Sequence, residues 1–392
     1  MKTCGTDHHY DGSLDQICDF TCDAGACVAA SNLDLADVKM CDSSAPALAP
    51  QQGATISFSA TPSPHIDCTP NCGDPSVTTI PALKSLAVQS TQGVALFCVS
   101  SLTIPAAFAI SANGSLSQAV AFVVDGDVTI DGVVSFDGGA ATNGTSGGRG
   151  SPGGWDGATR SKDSGHDGSG PCKGSGGTHN GPAVIGSDWS GGGGGGGGNQ
   201  TIGGVGGTGD CVDDDHRSSG GTYGAVCGVD SISPLVGGSG GGGGGDATSD
   251  VEQGWAGGGG GGALQISARR SITIHGTVSA RGGNGYGTAT IDGGGGGGAG
   301  GGLLFEAPSV MITGSLNVDG GQGGPSKSGP GGVGATGTQL SASGLNYNAA
   351  GQGGSGGGGG GGRIRIVGGN ATCVSDVSPT SSCTAAMLAP AP

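Results

Sequence analysis

Short segments of alternating apolar and polar residues recur along much of this chain. Three of them align without gaps: "VTIDGVVSFDGG" (Val128 to Gly139), "ITIHGTVSARGG" (Ile272 to Gly283) and "VMITGSLNVDGG" (Val310 to Gly321). Their shared register is apolar-x-Ile-x-Gly-x-apolar-x-x-x-Gly-Gly. A degenerate fourth copy, "LTIPAAFAI" (Leu102 to Ile110), has Ala106 where the others carry Gly132, Gly276 and Gly314. Period-two alternation over so few residues predicts strands, not helices, and the glycine between them permits a sharp corner.

Each copy follows a further alternating segment: "ALFCV", "AFVVD", "ALQIS" and "LLFEA". A last one, "RIRIV" (Arg363 to Val367), ends a glycine run and lacks the rest of the unit. No such unit buries its apolar face alone. Stacked in parallel, the units share a continuous core of Val, Ile, Leu and Phe. The expected fold is therefore all-β, a parallel β-helix (solenoid) of either hand. A β-sandwich of hairpins is the alternative, disfavoured because Asn-Gly turns between paired strands are scarce.

Glycine changes this picture, since it supplies 95 of 392 residues. Collagen is excluded, because no strict G-X-Y period exists and proline numbers only 18. Runs begin at Gly191, Gly240, Gly257, Gly293 and Gly356, and three end directly before a strand: Gly262, Gly302 and Gly362. Extended polyglycine makes no hydrogen bonds within its own run, so every amide and carbonyl seeks a partner elsewhere. Runs tied to the same point of successive repeats return alongside one another and can satisfy that need. The expectation is a laterally packed layer of polyglycine II carried by the β-helix; flexible excursions are the alternative.

Residues 1–75 are expected to form a small Cys-rich, loop-dominated module. The glycine-rich β-helix is expected over 76–372, with a long excursion at 143–262 that closes within its own loop, and 373–392 are expected to be a poorly ordered tail apart from a Cys373–Cys383 bridge. Cys4, Cys18, Cys22, Cys27, Cys41, Cys68 and Cys72 fall in the first module, and the chain holds 13 cysteines in all. That density points to disulfides and an oxidising compartment, extracellular or cell-surface, with zinc as the runner-up. Cys172, Cys211 and Cys227 are placed to cross-link the excursion. The opening "MKTCGTDHHYDG" has no apolar core of a signal peptide, so an export signal is expected to have been removed or to lie upstream.

A net charge of −16, with only 14 scattered Lys and Arg, argues against nucleic acid and anionic membrane as partners. The segment "GVALFCVSSLTIPAAFAI" is long enough for a membrane span, yet Pro105 and its alternation fit the repeat instead.

The strand–Gly–strand units with "GGGGGGAGGG" excursions, over about residues 94–370, resemble secreted glycine-rich repeat proteins of bacteria, myxobacterial ones in particular. The runs alone are similar to polyglycine-II modules in tail-tip adhesins of T4-like phages and in the snow flea antifreeze protein. These resemblances imply a surface protein with a β-helix, and they carry no active site onto this chain.

Chemistry is sparse. No nucleophile elbow, P-loop lysine or zincin motif is present. A β-helix lyase or hydrolase needs carboxylates and a base on adjoining repeats. Here Asp131 and Asp137 align with His275 and Arg281, then with Thr313 and Asp319, which reads as an ion-pair ladder of Asp137, Arg281 and Asp319. In "GDCVDDDHR", Asp210, Asp213, Asp214 and Asp215 suit Ca²⁺, a hard cation that takes oxygen ligands; no other cofactor is expected. Trp155, Trp189, Tyr223 and Trp255 either form a contact surface or pin the glycine loops. An ice-binding face would need regular Thr; Thr103, Thr129 and Thr273 align, but Met311 interrupts them. The expected function is a secreted or cell-surface structural or adhesive scaffold without catalytic activity, meeting cell-surface glycans or copies of itself. A β-helix carbohydrate-active enzyme and an ice-binding protein are the alternatives.

Overall fold

In the computed structural model the aligned repeats lie beside one another in the register that their alignment implies. The residues described are 21–23, 26–28, 41, 45–51, 54–69, 79–82, 84–86, 93–112, 116–142, 145–179, 190–210, 217–247, 254–336, 339–346, 351–368, 370–373, 377–378 and 383–387. Among them all helices and strands are β-strands.

An antiparallel pair, β1 (Thr21–Asp23) and β2 (Ala26–Val28), precedes an antiparallel sheet of β3 (Thr55–Ser59), β4 (His65–Thr69) and β5 (Thr79–Pro81). Next, β6 (Lys84–Leu86) runs antiparallel to β7 (Val94–Val99), and from β7 onward the pairing is parallel. The chain then visits three sheets in rotation. The first sheet holds β7, β10 (Ala119–Val124), β13 (Ala263–Ala268), β16 (Gly302–Glu306), β19 (Arg363–Gly368) and β22 (Cys383–Met387). The second holds β8 (Leu102–Ile104), β11 (Asp127–Ile130), β14 (Ser271–Ile274), β17 (Ser309–Ile312) and β20 (Asn370–Cys373). The third holds β9 (Ala109–Ser111), β12 (Val133–Ser135), β15 (Thr277–Ser279), β18 (Ser315–Asn317) and β21 (Val377–Ser378).

Val128 pairs with Ile272 and Ile272 with Val310, while Val134, Val278 and Leu316 form the matching row in the third sheet. All six are buried. In the degenerate copy Leu102 pairs with Val128 but Ile110 pairs with Val134, so its corner is two residues longer, spanning Pro105 to Phe108. The corner glycines have no positive φ. They are required by proximity: a Cβ on Gly276 would fall on the carbonyl oxygen of Gly132, and one on Gly314 on that of Gly276.

Inside the three sheets, rows of like residues stack from turn to turn. Phe97, Phe122, Ile266, Phe305 and Ile366 make one row, all buried in a single core cluster. The first sheet is also covered on its other face, where Cys41, Ile232 and Leu235 pack against Leu96, Ala121 and Leu304. This second cover explains why β7, β10 and β13 are buried at every position and not at alternate ones.

Two expectations need correction. The described residues before 76 are not merely loops: β3 and β4 set Phe58 and Ile66 into the main core, and β5, just past that boundary, adds Ile80. The Phe58 ring lies 6.2 Å from Phe97 and 5.5 Å from Phe136, closing the end of a stack that would otherwise expose its first apolar layer. A disulfide from Cys41 to Cys98 fastens this region to β7, with a Cα separation of 5.3 Å. The tail, expected to be poorly ordered, forms strands in its described residues. β20, β21 and β22 pair with β17, β18 and β19 and add a further turn beyond the expected boundary at 372.

Candidate functional site

The five glycine runs gather into one hydrogen-bonded layer, and run 191–198 sits at its centre. Its amides are dealt out in threes. Gly191, Gly194 and Gly197 donate to Ile291, Gly294 and Gly297; Gly192, Gly195 and Gly198 donate to Thr178, Ser175 and Cys172; Gly193 and Gly196 donate to Gly207 and Gly204. Its carbonyls follow the same rule, accepting from Gly354, Gly357 and Gly360, from Gly245 and Gly242, and from Gly221 and Gly224. Each residue therefore faces the neighbour that its third successor faces, as expected for a chain with three residues per turn. Run 293–301 is surrounded in the same way, donating to 239–245, 280–286 and 354–360. None of the glycines in the five runs has a positive φ. Glycine is needed here because neighbouring backbones leave no room for a Cβ, which at Gly295 would collide with the carbonyl of Ala256.

The excursion at 143–262 does not close within its own loop. Its central run takes partners from 291–297 and 354–360, so three excursions are interleaved into one body. A disulfide from Cys172 to Cys227, with Cα atoms 6.0 Å apart, crosses the excursion as its cysteine spacing suggested; Cys211 lies outside the described residues.

The outermost segments of the layer carry side chains at every third position. In "TIGGVGGTG", Ile202 and Val205 are exposed while the glycine pair that follows each of them is buried. Beside this segment run residues 221–224, bonded through the Gly203 amide to Gly224, and 342–345, whose Gly344 amide donates to Val205. The Ala342 amide in turn donates to Val333. Tyr223 (46 % exposed), Val226 (55 %), Ile202, Val205, Leu345 and Val333 thus form an apolar strip across four adjacent segments. Only Tyr223 was anticipated from sequence, although the x-Gly-Gly-x-Gly-Gly period was a readable signal for the rest.

The other aromatic candidates divide. Trp155 is half-buried against Gly170, and Trp255 packs edge-on to Tyr286 at 5.3 Å while its indole donates to Thr290 Oγ1 at 3.2 Å. Both pin segments of the layer together. Trp189 lies outside the described residues.

Charged side chains line the rims of the sheets as a ladder between equivalent positions. Arg269 pairs with Asp125, Ser271 with Asp127 at 2.7 Å, and His275 with Asp131 at 2.7 Å. Arg281 holds Asp137 through its backbone amide (2.7 Å), Nε (3.0 Å) and Nη2 (2.8 Å). Hydrogen bonding and charge attraction from Asp137, with a smaller pull from Asp319, raise the Arg281 pKa above its ordinary value against the effect of burial. These residues border an open groove of about 470 Å³ together with Asn284, Gln322 and Gln339. Both oxygens of Asp137 are engaged by Arg281, an arrangement that fixes the rim.

Asp210 is buried at the end of its glycine segment, its amide donating to Gln352 and its Oδ1 lying 3.8 Å from Arg217 Nε. Asp213, Asp214 and Asp215 lie outside the described residues. Among the described residues no group of three or more His, Cys, Asp or Glu is placed to hold a metal ion. None of those residues forms a helix long and apolar enough to cross a membrane. In the second sheet Thr103, Thr129 and Thr273 stand in register with Met311, which breaks the threonine row as the alignment indicated. No protein-family model matches this chain, and neither does any curated protein or solved structure.

Proposed function

We propose that the chain is a non-catalytic structural or adhesive scaffold displayed outside the cell: a parallel β-helix whose excursions pack as a polyglycine-II layer. The observation that carries this reading is the apolar strip of Tyr223, Val226, Ile202 and Val205, mounted on a body whose glycine runs are hydrogen-bonded on all sides. Exposed apolar patches on rigid supports mark sites of association, and an aromatic within them commonly carries much of the energy. The three-sheet rotation supports the solenoid, and the partner change at every third residue supports polyglycine II. Disulfides at Cys41–Cys98 and Cys172–Cys227 support an oxidising location. The partner is a cell-surface glycan or a second copy of the chain.

The test is a triple variant, Ile202→Ser, Tyr223→Ser and Val226→Ser, compared with wild type on a glycan array, on intact cells and by sedimentation. Retention on one of these partners should fall at least tenfold while the circular dichroism spectrum and melting temperature hold. Equal retention by the triple variant would remove the strip from the reading, and no retention by wild type on any partner would remove the adhesive role.

A further inference from the structure

The glycine layer has two ends, and one of them concentrates buried carboxylates. At the start of the central run, Gly191 donates to Ile291 and accepts from Gly354, while Gly192 accepts from Gly245. Gly209 donates to Ser218, and a Cβ on Gly209 would stand 2.5 Å from Ser218 Oγ and 2.8 Å from Ser190 Oγ. The residues next in line, Asp292, Asp246, Asp210 and Ser218, therefore ring Ser190. All of them are buried, Asp246 and Asp292 completely.

Among the described residues, few basic groups stand at this end of the layer. Arg217 approaches Asp210, Lys327 Nζ donates to the Gly351 carbonyl at 3.2 Å, and the His179 ring meets the Asp246 carbonyl at 3.0 Å. Asp292 Oδ1 accepts from the Ala247 amide at 3.2 Å, directly beside Asp246. Its Oδ2 is buried without a hydrogen-bond partner, and so is Ser218 Oγ. Among the described residues no basic side chain pairs with Asp292. An ionised carboxylate buried without a counter-charge is strongly unfavourable, so the orphaned oxygen calls for a ligand.

We propose that this end of the layer holds a divalent hard cation of the Ca²⁺ class between Asp292 and Asp246, with Ser218 contributing a hydroxyl oxygen across Ser190. Hard cations of this class accept carboxylate, backbone carbonyl and hydroxyl oxygens together. A site with two carboxylates and a hydroxyl oxygen, completed by water, falls within that range. The site differs from the acidic loop at 213–215, and it does not depend on the adhesive reading.

Trp255 makes the test direct, because its indole is bonded to Thr290, two residues before Asp292. The full chain is stripped with EDTA and titrated with Tb³⁺ under tryptophan excitation, then with Ca²⁺ as competitor; melting is followed in parallel. Tb³⁺ emission should appear and be displaced by Ca²⁺, and Ca²⁺ should raise the melting temperature. Asp292→Asn, which keeps the shape and removes the charge, should weaken both effects at least tenfold and melt higher than wild type in EDTA. The triple change Asp213→Asn, Asp214→Asn, Asp215→Asn should leave both intact. The proposal fails if wild type melts identically in EDTA and Ca²⁺, if Asp292→Asn binds as tightly as wild type, or if the loop variant alone abolishes binding.

Discussion

The Arg363 guanidinium donates to Asn199 Oδ1 at 2.6 Å, joining the first residue of β19 to the end of the central glycine run across 164 positions. Asn199 passes the contact on, donating from Nδ2 to the Gly300 carbonyl at 2.7 Å. Arg363 also donates to the Cys227 carbonyl, beside the Cys172–Cys227 bridge. Burial pushes the Arg363 pKa below its ordinary value, and Asp230, 3.7 Å away, partly offsets the shift. One side chain thus ties the strand stack, the glycine layer and the disulfide together.

Replacing Arg363 should test that tie. Arg363→Met leaves the Asn199 and Cys227 oxygens without their donor, and a loss of about 2–4 kcal/mol is expected from orphaned buried acceptors. Arg363→Lys should recover part of the loss, because both bonds leave a single nitrogen, Nη1, and an ammonium can also donate to two acceptors. The urea midpoint should fall with the slope unchanged.

Gly295→Val probes the layer itself. The new side chain would occupy the position of the Ala256 carbonyl, so a loss of about 3 kcal/mol or more is expected from overpacking. Melting temperature and resistance to proteolysis within 191–198 should fall together. If both are unchanged, the runs are flexible and the layer does not exist in solution.

The Cys172–Cys227 bridge spans 55 residues, and its removal by paired serine substitution should lower stability by about 2–4 kcal/mol. Limited proteolysis should then open 173–226 first, while the β7–β10–β13 core stays protected. A melting temperature equal to that of wild type would show that the interleaved hydrogen bonds hold the excursion without it.

The rim ladder gives the opposite expectation. Arg281 is 55 % exposed at its side chain, and Asp137→Ala or Arg281→Ala should cost no more than about 1 kcal/mol. Neither should change polysaccharide turnover, which should stand at background in wild type. Release of new reducing ends by wild type that disappears in either variant would reassign the chain to the carbohydrate-active enzymes.

Side-chain patterning made the sheets legible and left the glycine layer's neighbours unspecified. Ile130, Ile274 and Ile312 announced their own stacking because each has an apolar partner two positions away. The last turn escaped notice because Ala371 and Cys373 replace the larger residues of β17, and their small side chains weaken the alternation. Phe58 and Ile66 gave no hint that their sheet caps the stack, since hairpin strands look alike wherever they dock. Within the runs, glycine offers no side chain by which one neighbour differs from another. Which run lies beside which follows from the lengths of the excursions, and that is why the interleaving around Gly194 was not apparent. The ring around Ser190 was hidden for the same reason: Asp246 and Asp292 are 46 positions apart and are brought together only by the glycine runs that end there.

The interleaving also sets an order of events during synthesis. Turns of the strand stack can form one after another as the chain is made, each resting on the last. Gly197, by contrast, must wait for Gly360 before its carbonyl has a donor, and Gly194 must wait for Gly294. The layer is therefore finished only when the final excursion has emerged, and a nascent chain halted before residue 354 leaves the middle of the body with open hydrogen-bonding groups. Closure by partners so distant in sequence is slow, so the layer is the last part of the fold to lock.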